Sequence, residues 1–157
     1  MRLECYTAID VETPNGYGRS ICSIGIVHAE RGQLPFYAHY LVDPDDEFDL
    51  RNILIHGIRP EDVGNAPTLP RLWEQLLPYF SDGVLLAHNA RFDLGVIGRA
   101  LERCNLAVPD MRYVCTLAKS RRHIPRTAFG NHRLATLCGG LDIPLINHHN
   151  ALDDAKA

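Results

Sequence analysis

The stretch Val84-Leu85-Leu86-Ala87-His88-Asn89-Ala90-Arg91-Phe92-Asp93 decides how this chain is organised. Val84–Ala87 is a compact apolar run following Gly83, which predicts a short buried strand. A helix is predicted next, from about Arg91 to Cys104, because Leu94, Ile97, Leu101 and Cys104 recur at helical spacing. Strand then helix is the grammar of a layered α/β fold. His88 and Asn89 sit at the junction, where a tight polar turn could face a ligand.

Upstream the pattern differs. Cys5 to Asp10 reads as a strand, and Pro14-Asn15-Gly16 supplies turn chemistry before a second strand at Ile21–Val27. A third strand is expected at Phe36–Val42, after the Arg31-Gly32 turn. Short connections between three strands predict an antiparallel meander. Thr68 is placed to cap a helix reaching about Phe80, with Leu72, Leu76 and Tyr79 on one side. Pro70 suits its first turn, whereas Pro78 should distort or shorten its end.

Downstream, a strand is expected near Arg112–Cys115. Asn131 is a candidate cap for a helix carrying Leu134, Leu137, Cys138 and Leu141, with Gly139-Gly140 as its terminator. These elements predict an α/β protein: a mixed five-stranded sheet, three strands in a meander and the rest alternating with helices. No repeat, low-complexity tract or linker interrupts residues 1–157, so one domain is expected. The last helix, starting near Asn150, would be cut short at Ala157, and further polypeptide is expected beyond it.

Composition excludes more than it assigns. The 157 residues are 46% hydrophobic and 22% charged, ordinary for a globular protein. No stretch approaches the roughly 20 apolar residues of a membrane span, and the amino terminus lacks a secretory core. The five cysteines include no Cys-x-x-Cys pair, which argues against a disulfide framework or zinc ribbon and for a reducing cytoplasm. A net charge of −3 does not announce a nucleic-acid binder. A carboxylate cluster built for cations would itself lower the net charge.

Asp10 and Glu12 stand two apart at the end of the first strand, so both side chains point to one face. Like charges that close repel unless a cation or proton intervenes. Asp93 falls in the first turn of its helix, where a negative charge suits the helix dipole. In His148-His149-Asn150-Ala151-Leu152-Asp153-Asp154, Asn150 suits a helix cap. His149 and Asp154 then occupy the two positions that touch in a hydrophobic staple. His148 and Asp153 share their spacing of five, so spacing alone leaves the pair open.

Together these pieces resemble the DEDDh 3′–5′ exonucleases, the family of the proofreading subunit of bacterial replicative DNA polymerases. Asp10-Val11-Glu12-Thr13 is similar to its first motif and His88–Asp93 to its second. Its third, His-x-Ala-x-x-Asp, is matched by His149, Ala151 and Asp154, which selects the His149–Asp154 register. Ser20–Gly25, His56-Gly57-Ile58 and Leu134–Cys138 extend the likeness over nearly the whole chain. Pro14-Asn15 and Cys115 depart from common family residues without touching an expected ligand.

The resemblance implies a ribonuclease H-like sheet with helices on both faces. It implies that Asp10, Glu12, Asp93 and Asp154 hold two Mg²⁺ or Mn²⁺ ions, and that His149 is the general base. Thr13, His88, Asn89 and Phe92 are implied to receive the terminal nucleotide, although Phe92 reads equally well as core. The implied partner is a single-stranded or frayed 3′ end of DNA, with RNA as the alternative, in a polymerase or repair assembly. An endonuclease of the same fold and a non-catalytic adaptor are the competing classes. Lys119, Arg121, Arg122, His123 and Arg126 read as a phosphate-contacting cluster or a solvated loop.

Overall fold

The computed structural model describes residues 5–157. Its sheet has five strands in the order β3-β2-β1-β4-β5. β1 (Cys5–Glu12) pairs antiparallel with β2 (Ser23–Glu30), which pairs antiparallel with β3 (Phe36–Leu41). β4 (Val84–Ala87) runs parallel to β1, and β5 (Tyr113–Cys115) parallel to β4. The mixed five-stranded sheet of the sequence reading is therefore present.

α3 (Leu69–Ser81) and α4 (Ala90–Arg103) cover one face. Ile9, Val11, Ile24, Ile26 and Leu85 from the sheet pack there against Leu72, Trp73, Leu76, Leu94, Ile97 and Leu101. Each such side chain taken from water contributes about 1.5–3 kcal/mol. The opposite face of β1 and β2 carries α8 (Ala151–Lys156), the last helix. Gly25 makes this possible: a Cβ there would lie 2.0 Å from the Ala151 carbonyl oxygen. Only a residue without a side chain lets the α8 backbone come so close.

Several elements differ from expectation. β1 runs on to Glu12, and β2 begins only at Ser23, just after the Cys22 amide donates to the Glu12 carbonyl at 2.9 Å. Pro78 does not end α3, which continues to Ser81; only its last turn follows the proline. Asn131 caps nothing: α7 (Leu134–Gly140) starts after Arg133, whose amide binds the Asn131 side chain instead. Gly139 and Gly140 belong to that helix, and Leu141 lies outside its buried side. Four helices were not anticipated: α1 (Leu50–His56), α2 (Pro60–Val63) and the two that carry the basic cluster. The basic cluster is helical, in α5 (Thr116–His123) and α6 (Arg126–Phe129). Among the described residues no helix is long and apolar enough to cross a membrane.

Replacing Gly25 by Ala should destabilise the protein by about 1–3 kcal/mol, the usual cost of forced overpacking. Gly139 sits in a helix with nothing near its missing Cβ. Gly139→Ala should therefore be neutral or stabilising by up to about 1 kcal/mol. Urea denaturation of both variants checks the contrast.

Candidate functional site: a carboxylate pocket and its cleft

The pocket lies where β1 parts from β4. The two strands pair only as far as Ala8 and Leu86. Beyond that point Asp10 and Glu12 project from β1 towards α8, both on the face that Gly25 shares. β4 ends at Ala87, and the chain turns into α4 through Asn89, held in the left-handed region at φ 70°. Asparagine tolerates that conformation where most residues do not. The turn delivers Asp93, only 2% exposed, with its Oδ1 accepting the Val11 amide at 3.3 Å.

The third contribution comes from α8. Asn150 caps it, its Oδ1 accepting the Leu152 and Asp153 amides at 3.2 Å. Asp154 then points inward with its side chain 6% exposed. One oxygen each from Asp10, Glu12 and Asp154 lie within 4.8 Å of one another. Asp93 adjoins them closely enough to act electrostatically on both Asp10 and Glu12.

No cation of the described residues pairs with Asp10, Glu12 or Asp93. Burial, then the charges of Asp93, Glu12 and Asp154, hold the Asp10 carboxyl well above its ordinary range. Burial, with Asp154 and Asp93 adding to it, pushes Glu12 to about 8. Burial likewise lifts Asp93 to about 7, although the Val11 amide opposes the shift. A positive charge placed among such groups would favour release of their protons. The pocket's donors are all carboxylate oxygens, the hard ligands that suit Mg²⁺, Mn²⁺ or Ca²⁺. Cys5, His28 and Glu30 also bring three ligand atoms together on the far sheet face. There, however, both His28 nitrogens are engaged, by Thr7 and Glu30.

The histidines divide in an unexpected way. The imidazole that touches Asp154 belongs to His148, whose Nδ1–H donates to the carboxylate at 3.0 Å. His149, at φ 70°, meets the same carboxylate through its backbone N–H at 3.0 Å. Its ring stacks on that of His148, with centroids 3.9 Å apart, and makes no hydrogen bond among the described residues. Burial, then His148, lowers its affinity for a proton, so it is neutral near pH 7.

Thr13 is buried, clamped from α1. Its carbonyl accepts Asn52 Nδ2 at 2.9 Å and His56 Nε2 at 3.0 Å. A nitrogen facing a carbonyl must carry the proton, so His56 Nδ1 is the acceptor for the Ile58 amide at 3.0 Å. Burial keeps this imidazole neutral. Neither Asn52 nor His56 was singled out as a support, since side-chain-to-carbonyl bonds across the fold leave no spacing signal. His88 is similarly saturated: Nε2–H donates to the His132 carbonyl at 2.9 Å and Nδ1 accepts from Thr116 Oγ1 at 3.0 Å. Phe92 is 48% exposed, so it is not core.

Asp10, Asp154, His88, Asn89 and His148 open onto a cleft of about 880 Å³, completed by α5, α6 and the start of α7. Thr13 and Phe92 lie outside its lining.

Comparison with known proteins gives a consistent picture. The model of the RNase_T exonuclease family matches residues 7–157. A candidate bifunctional exonuclease/endonuclease of Mycobacterium tuberculosis is 31% identical over this whole chain, which covers 26% of that protein. The PolC-type DNA polymerase III of Listeria welshimeri is also 31% identical, over 97% of this chain and 10% of its own length. The chain thus spans 26% and 10% of the length of these relatives. Among solved structures, exonuclease X bound to 5′-overhanging duplex DNA superposes with a TM-score of 0.74 at 25% identity, covering 96% of this chain and 84% of that one. The nuclease domain of the DEDDh protein 3′hExo gives 0.78 at 16% identity, over 98% and 87%, a likeness of fold. With its carboxylates gathered on the same ribonuclease H-like sheet, this chain belongs to the RNase_T exonuclease family.

Proposed function

We propose that the protein is a 3′–5′ exonuclease releasing nucleoside monophosphates from single-stranded or frayed DNA ends, with Asp10, Glu12, Asp93 and Asp154 holding two Mg²⁺ or Mn²⁺ ions. The observation that carries this reading is the convergence of carboxylates from β1, α4 and α8, with no cation of the described residues paired to Asp10, Glu12 or Asp93. The ions, when bound, would stabilise the attacking and leaving oxygens of the phosphodiester. DNA is favoured by the polymerase relatives and by the DNA complex at 25% identity, and the role by analogy is proofreading or repair.

In this reading the chain's own groups divide the work. His149 accepts the proton of the attacking water, since its ring is neutral and both nitrogens lack a hydrogen-bond partner among the described residues. Thr13, fixed by Asn52 and His56, receives the terminal sugar. Asn89 and the exposed ring of Phe92 flank the terminal nucleotide. His88 positions the strand-to-helix turn through its two hydrogen bonds.

A second assignment of the base has its own support. His148 is oriented by Asp154, leaving Nε2 free, and it lines the cleft. Single-turnover cutting of a 5′-labelled oligonucleotide in Mg²⁺ separates the two. His149→Ala should slow cutting by about 10²–10⁴-fold, the range for a general base, while His148→Ala costs less. The reverse order would hand the role to His148. Asp10→Ala should abolish cutting with folding intact, and a 3′-blocked substrate should survive the wild-type enzyme. Full activity of Asp10→Ala, or cutting of the blocked strand, would sink the proposal.

The pocket should also be visible without turnover. Glu12 at about 8 and Asp93 at about 7 bind protons in the folded state that the unfolded chain releases near 4.5 and 3.8. Their contribution to stability is complete below those unfolded values and lost as pH rises through 7 and 8. The neutral histidines His39, His56, His88 and His149 act oppositely, but only below the ordinary 6.5. In EDTA, Tm should therefore fall between about pH 6.5 and 8.5, and Glu12→Gln should flatten the decline. Mn²⁺ should raise Tm, more so at the higher pH, because protons compete for the same oxygens. A Tm indifferent to Mn²⁺ throughout would argue against the metal assignment.

A further inference from the structure

One wall of the cleft is not used by the reaction just described. Arg121 from α5, Arg126 from α6 and Arg133 beside α7 line it with His132, facing the same space as Asp10 and Asp154. None of the three guanidinium groups forms an ion pair with those acids. Arg126 is fixed by donating Nε–H to the Gly130 carbonyl at 3.0 Å. The side chains of Arg121 and Arg133 make no hydrogen bond among the described residues, and both residues are exposed. His132 adds a buried Nδ1 without a partner, while its carbonyl ties this wall to His88.

Arginines that pair with neither Asp10 nor Asp154, set around the same cleft, are complementary to a ligand that meets both walls. A phosphodiester chain does so if its scissile group lies at the acids and other phosphates lie along the arginines. A 3′-terminal nucleotide carries no phosphate beyond the scissile one, so every additional phosphate is on its 5′ side. We propose that Arg121, Arg126 and Arg133 form a track for the backbone phosphates of a single strand 5′ of the scissile bond. This rests on the exonuclease reading above. Guanidinium suits the task because its planar fork meets two phosphate oxygens at once.

The test uses Arg121→Ala/Arg133→Ala, which removes two exposed side chains and keeps the Arg126–Gly130 bond. Binding of fluorescein-labelled oligothymidylate is followed by anisotropy over a KCl series, with Ca²⁺ replacing Mg²⁺. The slope of log K against log salt should shrink by about 1.4, two single-strand contacts at about 0.7 each. Arg121→Lys/Arg133→Lys should restore most of it, because the charge is kept. In Mg²⁺, the ratio of kcat/KM for the oligonucleotide to that for a dinucleoside monophosphate, which has only the scissile phosphate, should fall by about 10-fold or more. An unchanged slope and an unchanged ratio would overturn the track. If the wild type cuts neither substrate in Mg²⁺ or Mn²⁺, the exonuclease reading fails, and the salt slopes alone still decide whether the arginines hold phosphate.

Discussion

Four acids brought into a poorly hydrated pocket repel one another, and the rest of the molecule has to hold them there. Burial contributes the largest part of the penalty at Asp10, Glu12 and Asp93, and the neighbouring charges add to it. The opposing force comes from outside the pocket. On one sheet face Ile9, Val11, Leu85, Leu76, Ile97 and Leu101 lock β1, β4, α3 and α4 together. On the other, α8 is seated on Gly25, bringing Asp154 to the two acids of β1. The hydrophobic layer is thus what allows an arrangement of charge that would otherwise disperse. A divalent ion or a proton relieves the same strain locally.

Much of this was legible in the sequence where a strong period existed. Val84–Ala87 and the stripe Leu94, Ile97, Leu101 gave β4 and α4, and the spacing of two at the end of the Cys5–Asp10 strand put Asp10 and Glu12 on one face. What was missed lacks such a period. α1 has no buried residue, and Leu50 and Leu54 are 69% and 77% exposed, so no apolar stripe announces it. α5 buries only Ser120, and its basic residues read equally well as loop. Asn131 has the right residue type for a cap, yet tertiary packing starts the helix later, and its side chain takes the Arg133 amide.

The site shows the same division. The acids stand out because carboxylates at strand ends and in helix first turns have few other reasons to converge. The supports of Thr13, Asn52 and His56, stay hidden, because each acts on a backbone carbonyl brought near only by folding. The His148 contact with Asp154 is hidden for a related reason. A left-handed His149 rotates the chain so that its predecessor's ring, and its own amide, reach the carboxylate. Residue spacing cannot foresee which of two adjacent side chains such a kink turns inward.

The wide sequence separation of Asp10 and Asp154 has a consequence for biosynthesis. The β1–β2–β3 meander and its parallel neighbours are complete long before residue 154 emerges from the ribosome. The sheet can settle while one of the mutually hostile charges is still absent, so the least comfortable part of the molecule is assembled onto a finished platform. A nascent chain, lacking that last acid, would carry only part of the pocket, which is completed as α8 docks over Gly25.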